Sequence, residues 1–537
     1  MYRSSLNQNI EVLMLLIMPL CLIVTMFVLR DHQGNYWEWK LLDPTYFYLF
    51  DILNILNLQM PEHLAHPGTP LYVIGAGVVK LMHPFTNSLD LTRMVLESPE
   101  HYLKAVSSAF ILINAFVLFL AGYVALQVFS SPLAALTVQI SPFLSKLIIK
   151  RALLVGPEIL LISSTLLMMM VIMMAIRDRE FLVNITRYAI LFGLVAGFTG
   201  ASKLTAAPLC VLPVFFLANR KAIGIYLGTG TISFVLFSLP FMAYVVSDIP
   251  GYLNYMENNV VQVSATDNPG GLFIIDHAIR AVKLLRRPVL SIPVLLSIIC
   301  MFVIWRHKNR QDFTHENLEY RAIIAITMAQ LIQVLVIARQ PNAYYMNPSY
   351  MLGLFHLLLV CRLIWQLIPE EKRPSFITAK RTGSLFVVIG LIAGAGSVIK
   401  LDRELVERHQ IAISADNEDY KSCARIYIFA ASSPSYALYT GNKMAGLKFT
   451  DALANVIPKN DYWIDDMYDQ ESVTFFGRQG PADMKQLQQT YSCFYFRGNR
   501  PGGIRNFLTR FAPNFKIENE CSTRDEVILT QGISCKN

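Results

Sequence analysis

The sequence predicts an all-α multi-pass membrane protein of about eleven transmembrane helices, followed by a small C-terminal α/β domain outside the membrane. Three observations predict it. Of the 537 residues, 54% are hydrophobic and only 16% charged, with a mean hydropathy of +0.42, outside the range of soluble globular domains. The apolar residues gather in runs long enough to cross about 30 Å of hydrocarbon as helices, the structure that satisfies its own backbone polar groups in lipid. From Asp402 onward the composition changes to that of a soluble domain.

The first apolar run, Val12 to Val28, follows Arg3 and precedes Arg30, Asp31 and His32. No small-x-small cleavage pattern follows it, so it reads as an uncleaved anchor rather than a signal peptide. Further spans are expected over Ala109–Phe129, Pro132–Ile149, Leu160–Ile176, Tyr188–Thr199, Leu204–Leu217, Ala222–Val246, Val289–Trp305, Ala322–Ile337, Met351–Leu367 and Leu385–Ile399. Basic residues orient them, because short cytoplasmic loops are enriched in Lys and Arg. With the N-terminus in the cytoplasm, the inner turns hold Arg177 and Arg179, Arg220 and Lys221, Arg306, Lys308 and Arg310, and Lys372, Arg373, Lys380 and Arg381. An odd number of spans then puts residues 402–537 on the periplasmic side of a cytoplasmic membrane, together with the loop of about residues 30–105. One outer loop departs from the charge rule: Arg280, Lys283, Arg286 and Arg287 precede the span that begins near Val289. Their spacing over Ile274–Leu285 suggests a basic amphipathic helix at the interface. It reads either as snorkelling beside lipid headgroups or as a cationic site for a lipid-linked phosphate.

The first outer loop is polar and rich in aromatic residues. It reads Asp43-Pro44-Thr45-Tyr46-Phe47-Tyr48 and, further on, His63-Leu64-Ala65-His66-Pro67-Gly68-Thr69-Pro70. Asp43 before Pro44, Thr69 before Pro70 and Glu158 after Pro157 each look like a helix start, since Asp and Thr are favoured caps and Pro is favoured at the first helical position. An acid in the first turn also complements the helix dipole, which would keep Asp43 and Glu158 ionised as a base or a metal ligand must be. Lys203 sits at a turn between two short apolar segments. A Lys within hydrocarbon costs roughly 2.5 to 3.5 kcal/mol, so it must reach the interface or have an anionic partner. Asp51 reads as a solvated or interfacial carboxylate, and the Tyr46–Phe50 aromatics as interface anchors ahead of sugar-stacking groups.

In the C-terminal region, Ala424–Ala430 reads as a strand leading into a Ser/Pro turn and a short helix near Tyr436–Tyr439. Cys493–Arg497, a helical Gly503–Phe511, Phe515–Glu518 and Glu526–Thr530 continue the alternation. The region is large enough for its own core. Cys21, Cys210, Cys300 and Cys361 lie in or beside apolar spans and behave as small apolar residues. Cys423, Cys493, Cys521 and Cys535 form an even set suited to disulfides in an oxidising compartment, with three pairings open. No Cys/His spacing points to structural zinc, and the carboxylates leave open a divalent cation without defining a ligand set. Internal repeats, phosphate-binding Gly-rich loops and nucleic-acid motifs are missing from the sequence, so the net charge of +8 is assigned to topology and lipid headgroups rather than to nucleic acid.

The run Asp43-Pro44-Thr45-Tyr46-Phe47-Tyr48-Leu49, followed by His66-Pro67-Gly68-Thr69-Pro70-Leu71-Tyr72, resembles the first outer loop of the polyprenyl-phosphate-sugar-dependent glycosyltransferases of the GT-C superfamily. The resembling branch contains the protein O-mannosyltransferases and the lipid A aminoarabinose transferase. Ser141-Pro142-Phe143, Arg151 and Pro157-Glu158 extend the resemblance, as do Gly193-Leu194-Val195-Ala196-Gly197 and Ser202-Lys203. Later, Arg339 and Tyr344-Tyr345-Met346-Asn347-Pro348 are similar to the family's Arg…Tyr-x-x-Pro element. Pro44 stands where the family has a second acid, Gly68-Thr69 interrupts its His-Pro-Pro-Leu pattern, and Lys104 stands about where an Arg is usual.

The resemblance implies a GT-C-like fold and an inverting sugar transfer at the outer membrane face. The donor would be a polyprenyl-phosphate-linked sugar and the acceptor a lipid, polysaccharide or protein. Asp43 would be the base, with Glu158 as a further carboxylate. Lys203, Arg151, Arg339, Arg280 and Arg287 would bind the donor phosphate, and His66 and Tyr46 would position substrate. Two other classes compete. A transporter or flippase of lipid-linked sugars would place ionisable groups near the midplane, and a noncatalytic envelope assembly protein would leave the Asp43 to Lys203 pattern idle.

Overall fold

The computed structural model describes residues 5–38, 45–62, 68–217, 219–247, 249–251, 272–306, 317–338, 342–368, 379–415, 418–428, 431–465, 474–477, 480–498, 501–522 and 527–534. The chain divides into two compact units: the first is Met1–Val28, Leu64–Ile74 and Ser107–Leu401, the second Leu29–His63, Gly75–Val106 and Asp402–Asn537.

Eight helices among the described residues are long and apolar enough to cross a membrane: Ile10–His32, Pro99–Phe129, Glu158–Arg177, Ile185–Ser202, Pro288–Arg306, Leu318–Ile337, Ala343–Leu367 and Gly383–Ile413. Two bent pairs raise the number to ten, Pro132–Phe143 with Lys146–Ala152 at 67° and Arg220–Phe237 with Leu239–Ser247 at 85°. The protein is therefore a multi-span membrane protein. The remaining expected span, Leu204–Leu217, is helical but short. At 1.5 Å per residue it reaches about 21 Å, less than the hydrocarbon thickness. Several expected boundaries move outward, most of all in the helix Ala379–Ala415, which continues through Asp402 where the composition changes. Its length of 37 residues is about twice what a span needs.

Within the first unit, the helices Ile185–Ser202 and Arg220–Phe237 pack closely because small residues let their backbones approach. A Cβ on Gly193 would lie 2.9 Å from the backbone nitrogen of Gly230, and one on Gly197 2.5 Å from that of Phe234.

The second unit is built on a mixed sheet. Its described strands are β1 (Ala424–Tyr427), β2 (Asp461–Asp465), β3 (Thr474–Gly477), β4 (Gly480–Pro481), β5 (Phe494–Gly498), β6 (Asn519–Ser522) and β7 (Val527–Gln531), in the order β4-β3-β2-β1-β5-β7-β6. β1 runs parallel to β2 and β5, and the outer pairings are antiparallel. The helices Pro434–Met444, Met484–Thr490 and Pro501–Phe511 lie between strands in sequence, and Ile426, Phe494, Phe496, Ile504, Phe507 and Leu529 fill the core. An α/β domain was expected, but Phe515–Glu518 is not a strand; the ladder begins at Asn519. β2, β3 and β4 had not been expected. Residues Ala424 and Phe494 are register partners, which brings the preceding cysteines together: Cys423 and Cys493 form a disulfide, and Cys521 is also disulfide-bonded.

The first-loop residues of this unit form the short 3₁₀ turn Tyr36–Glu38 and the helices Thr45–Leu56 and Ser88–Glu97. Two expectations are corrected here. Tyr46, Phe47, Tyr48 and Phe50 are core residues rather than interface anchors, with Phe50 meeting Phe449 edge-on at 5.5 Å. Asp51 is not solvated: it is 1% exposed and accepts hydrogen bonds from the Glu62 backbone N–H at 2.9 Å and the Asn54 side chain at 3.1 Å. Those two donors replace the water that the carboxylate loses.

Candidate functional site

In the first unit, chain breaks rather than regular helix present the polar groups. Ser145 caps the helix Lys146–Ala152 by accepting from the Leu147 N–H, and Arg151 lies in its last turn. Pro157 precedes the next helix, which places Glu158 in the first turn of Glu158–Arg177, as the Pro-Glu pattern predicts. Lys203 ends the helix Ile185–Ser202 in extended conformation, with φ −160° and ψ 122°, before the 3₁₀ turn Leu204–Ala206. Tyr344 and Tyr345 lie on the 3₁₀ turn Ala343–Met346, and Pro348 is in the first turn of the helix Asn347–Leu367.

These four breaks meet. The Lys203 ammonium donates to the Glu158 carboxylate at 2.6 Å, with the two side chains only 2% and 8% exposed. The anionic partner that a buried Lys requires is thus Glu158. Arg151 also acts electrostatically on Glu158, and its guanidinium lies 3.6 Å from the centre of the Tyr344 ring. The Lys203 ammonium lies 5.3 Å from the Tyr345 ring centre. Both are cation–π distances. The Asn347 amide donates to the Leu147 carbonyl at 3.4 Å, tying the Tyr turn to the Arg151 helix. Behind it, Gln333 donates to the Tyr345 carbonyl at 2.7 Å and accepts from the Ser349 hydroxyl. Among the described residues, Lys203 and Arg151 are the cations that act on Glu158, a pairing of two positive charges with one negative that suits an anion.

Of the other expected phosphate-binding residues, Arg287 lies 5.2 Å from the Tyr350 ring centre. Arg280 is half-buried on the helix Leu272–Leu285, whose Ile275, Ile279 and Val282 are exposed at helical spacing. Asp43, His66 and Arg339 lie outside the described residues. Among the described residues, no three His, Cys, Asp or Glu side chains come together as a metal-ion site.

In the second unit, Tyr46 is fully buried and its hydroxyl donates to Glu100 at 3.0 Å. The same carboxylate accepts from the Tyr36 N–H at 2.9 Å and the Trp37 N–H at 3.3 Å. Glu38, 1% exposed, accepts from the Asn35 N–H at 2.9 Å and meets His409 Nδ1 at 2.7 Å. Burial raises the Glu38 carboxyl above its ordinary 4.5, while Asn35, His409 and Arg497 act in the opposite direction. Glu38, just before segment 39–44, and Tyr46, two residues after it, are therefore both held by buried polar contacts. Glu38, Glu100, His409 and Arg497 were missed by the sequence reading. Glu38 and His409 are 371 positions apart, and neither belongs to a local motif.

No family model matches the chain, and no curated protein matches it. Among solved structures it is similar to the crystal structure of ArnT from Cupriavidus metallidurans bound to undecaprenyl phosphate, with a TM-score of 0.41 and 11% sequence identity over 96% of this chain and 97% of that one.

Proposed function

We propose that the protein is an inverting glycosyltransferase of the cytoplasmic (inner) membrane, which moves a sugar from a polyprenyl-phosphate donor to an acceptor at the outer face. One observation carries the reading. Three motifs on which the family resemblance rests, at Arg151 to Glu158, Ser202-Lys203 and Tyr344 to Pro348, are remote in sequence and converge on one cationic cluster around the buried Lys203–Glu158 pair. The disulfide Cys423–Cys493 further supports an oxidising compartment for the C-terminal region.

Asp43 takes the proton of the acceptor hydroxyl as its oxygen attacks the anomeric carbon. The bond from that carbon to the phosphate oxygen breaks, and its electron pair leaves with the polyprenyl phosphate. Lys203 and Arg151 stabilise the added negative charge, with Arg339, Arg280 and Arg287 as further cations. Glu158 holds Lys203 in place. Tyr46, tied to Glu100, fixes the helix that follows Asp43, and His66 contacts substrate from the second half of the loop.

The test is incubation of purified protein with radiolabelled polyprenyl-phosphate sugars and candidate lipid, polysaccharide and protein acceptors. Wild type is expected to form a glycosylated product, and Asp43→Asn to lose at least about 10²-fold in rate. Undiminished transfer by Asp43→Asn removes Asp43 as the base. Sugar crossing a vesicle membrane without covalent product makes the protein a flippase instead.

A further inference from the structure

A cavity of about 540 Å³ lies in the second unit between the helix Pro434–Met444, the turn after it, and strands β2 and β3. Its size falls within the roughly 300–1,000 Å³ of small-ligand sites. Tyr439 and Trp463 line it as a stacked pair, with ring centroids 4.3 Å apart and an interplanar angle of 29°. Phe476 adds a third aromatic wall, and Lys443, Thr450 and Asp451 bring an ammonium, a hydroxyl and a carboxylate. Trp463 is 4% exposed, and its indole N–H has no acceptor among the described residues.

The turn bordering the cavity is firmly built. Gly446 and Leu447 both have left-handed backbone, at φ 75° and 58°, a conformation that a leucine holds only where its surroundings impose it. The Asn442 carbonyl accepts from the Leu447 N–H at 2.9 Å. Its side chain accepts from the Phe449 N–H at 2.9 Å and donates to the Thr450 hydroxyl at 3.0 Å.

The same elements brace the first loop. Gly441 packs so closely on the helix Thr45–Leu56 that a Cβ there would lie 2.5 Å from the Phe50 ring. Lys448 reaches Glu62 at 2.7 Å and the Met60 carbonyl at 3.1 Å. One helix thus lines the cavity and supports the helix that follows Asp43-Pro44.

A pyranose ring matches this lining. Its C–H faces lie against aromatic rings, and its hydroxyl edge bonds to carboxylate, ammonium and hydroxyl groups. We propose that the cavity is a saccharide site that takes a pyranose unit of the acceptor. Only the role of that sugar as acceptor rests on the transferase reading.

The test uses the full chain in phosphatidylcholine nanodiscs, free of glycoside detergents. Saturation-transfer NMR is recorded with the methyl pyranosides of glucose, galactose, mannose, rhamnose and N-acetylglucosamine. At least one is expected to bind wild type with a millimolar dissociation constant and its strongest transfer at ring C–H protons, and to bind Tyr439→Ala and the exposed-site variant Asp451→Ala at least about tenfold more weakly. Binding of this kind by a protein that transfers no sugar supports the site and removes only the transferase reading. Failure of every pyranoside to bind, or wild-type binding by Asp451→Ala and Tyr439→Ala alike, overturns the proposal.

Discussion

A lysine ammonium buried among apolar helices needs a carboxylate beside it, and Glu158 supplies one to Lys203 at 2.6 Å. Breaking such a pair costs more than replacing it whole. Glu158→Gln should lower stability by about 3–5 kcal/mol because Lys203 loses its counter-charge. Lys203→Met should cost less, since Arg151 still acts on Glu158. The double variant Glu158→Leu/Lys203→Met should recover much of the wild-type melting temperature and still fail to transfer sugar. Thermal unfolding and the transfer assay check the series together.

Glu38 gives a residue-level pH effect of opposite sign to that of most paired carboxylates. Its folded value is raised by burial, so at a pH between the ordinary value and the raised one the folded state holds a proton that the unfolded chain has released. The stabilisation is present in full below the unfolded value and is lost as pH rises through the folded one. Glu38→Gln should flatten the fall in melting temperature across that window, as measured by unfolding followed from about pH 4 upward. The need of Lys203 was legible in sequence as a choice, the interface or an anionic partner, and the structure supplies the partner in Glu158. The Glu38–His409 contact was not, because nothing local to either residue signals a partner 371 positions away.

At the scale of elements, the spans were the most legible feature, since each needs about 20 apolar residues and the chain spells them out. Helix ends were less so. Apolar content marks where a helix must be in lipid, and says little about how far it runs beyond, as Ala379–Ala415 demonstrates. Strands β2 to β4 escaped notice because they are short, and the pairing that defines them comes from β1 and from one another. The Gly193 to Gly197 motif belongs to this scale, where backbone proximity leaves no room for a larger side chain. Gly197→Leu should force the helices Ile185–Ser202 and Arg220–Phe237 apart and destabilise the protein by at least about 1–3 kcal/mol. Gly224→Leu, where a Cβ would meet nothing within 4 Å, is the matched control in the same melting experiment.

At the scale of the molecule, composition changes at Asp402, but composition gives no sign of which earlier segments belong to the second unit. That unit includes Leu29–His63 and Gly75–Val106 as well as the C-terminal region, because side chains such as Glu38, Phe50 and Glu62 find their partners beyond residue 402. The disulfide Cys423–Cys493 joins positions 70 apart, and a loop of that length restricts the unfolded chain by about 4 kcal/mol. The variant Cys423→Ser/Cys493→Ser should therefore be cleaved much faster within residues 402–537 in limited proteolysis. Equal cleavage rates with and without the bridge would refute that expectation.

The shared second unit also sets an order of events during synthesis. Glu38 leaves the ribosome 371 residues ahead of His409, a lag of roughly 20 to 70 s at ordinary elongation rates. Throughout that interval the nascent first loop lacks the helix Pro434–Met444 that covers its aromatic face. A chain ended just after Ala415 would carry every one of the described spans and a first loop without its companion helix.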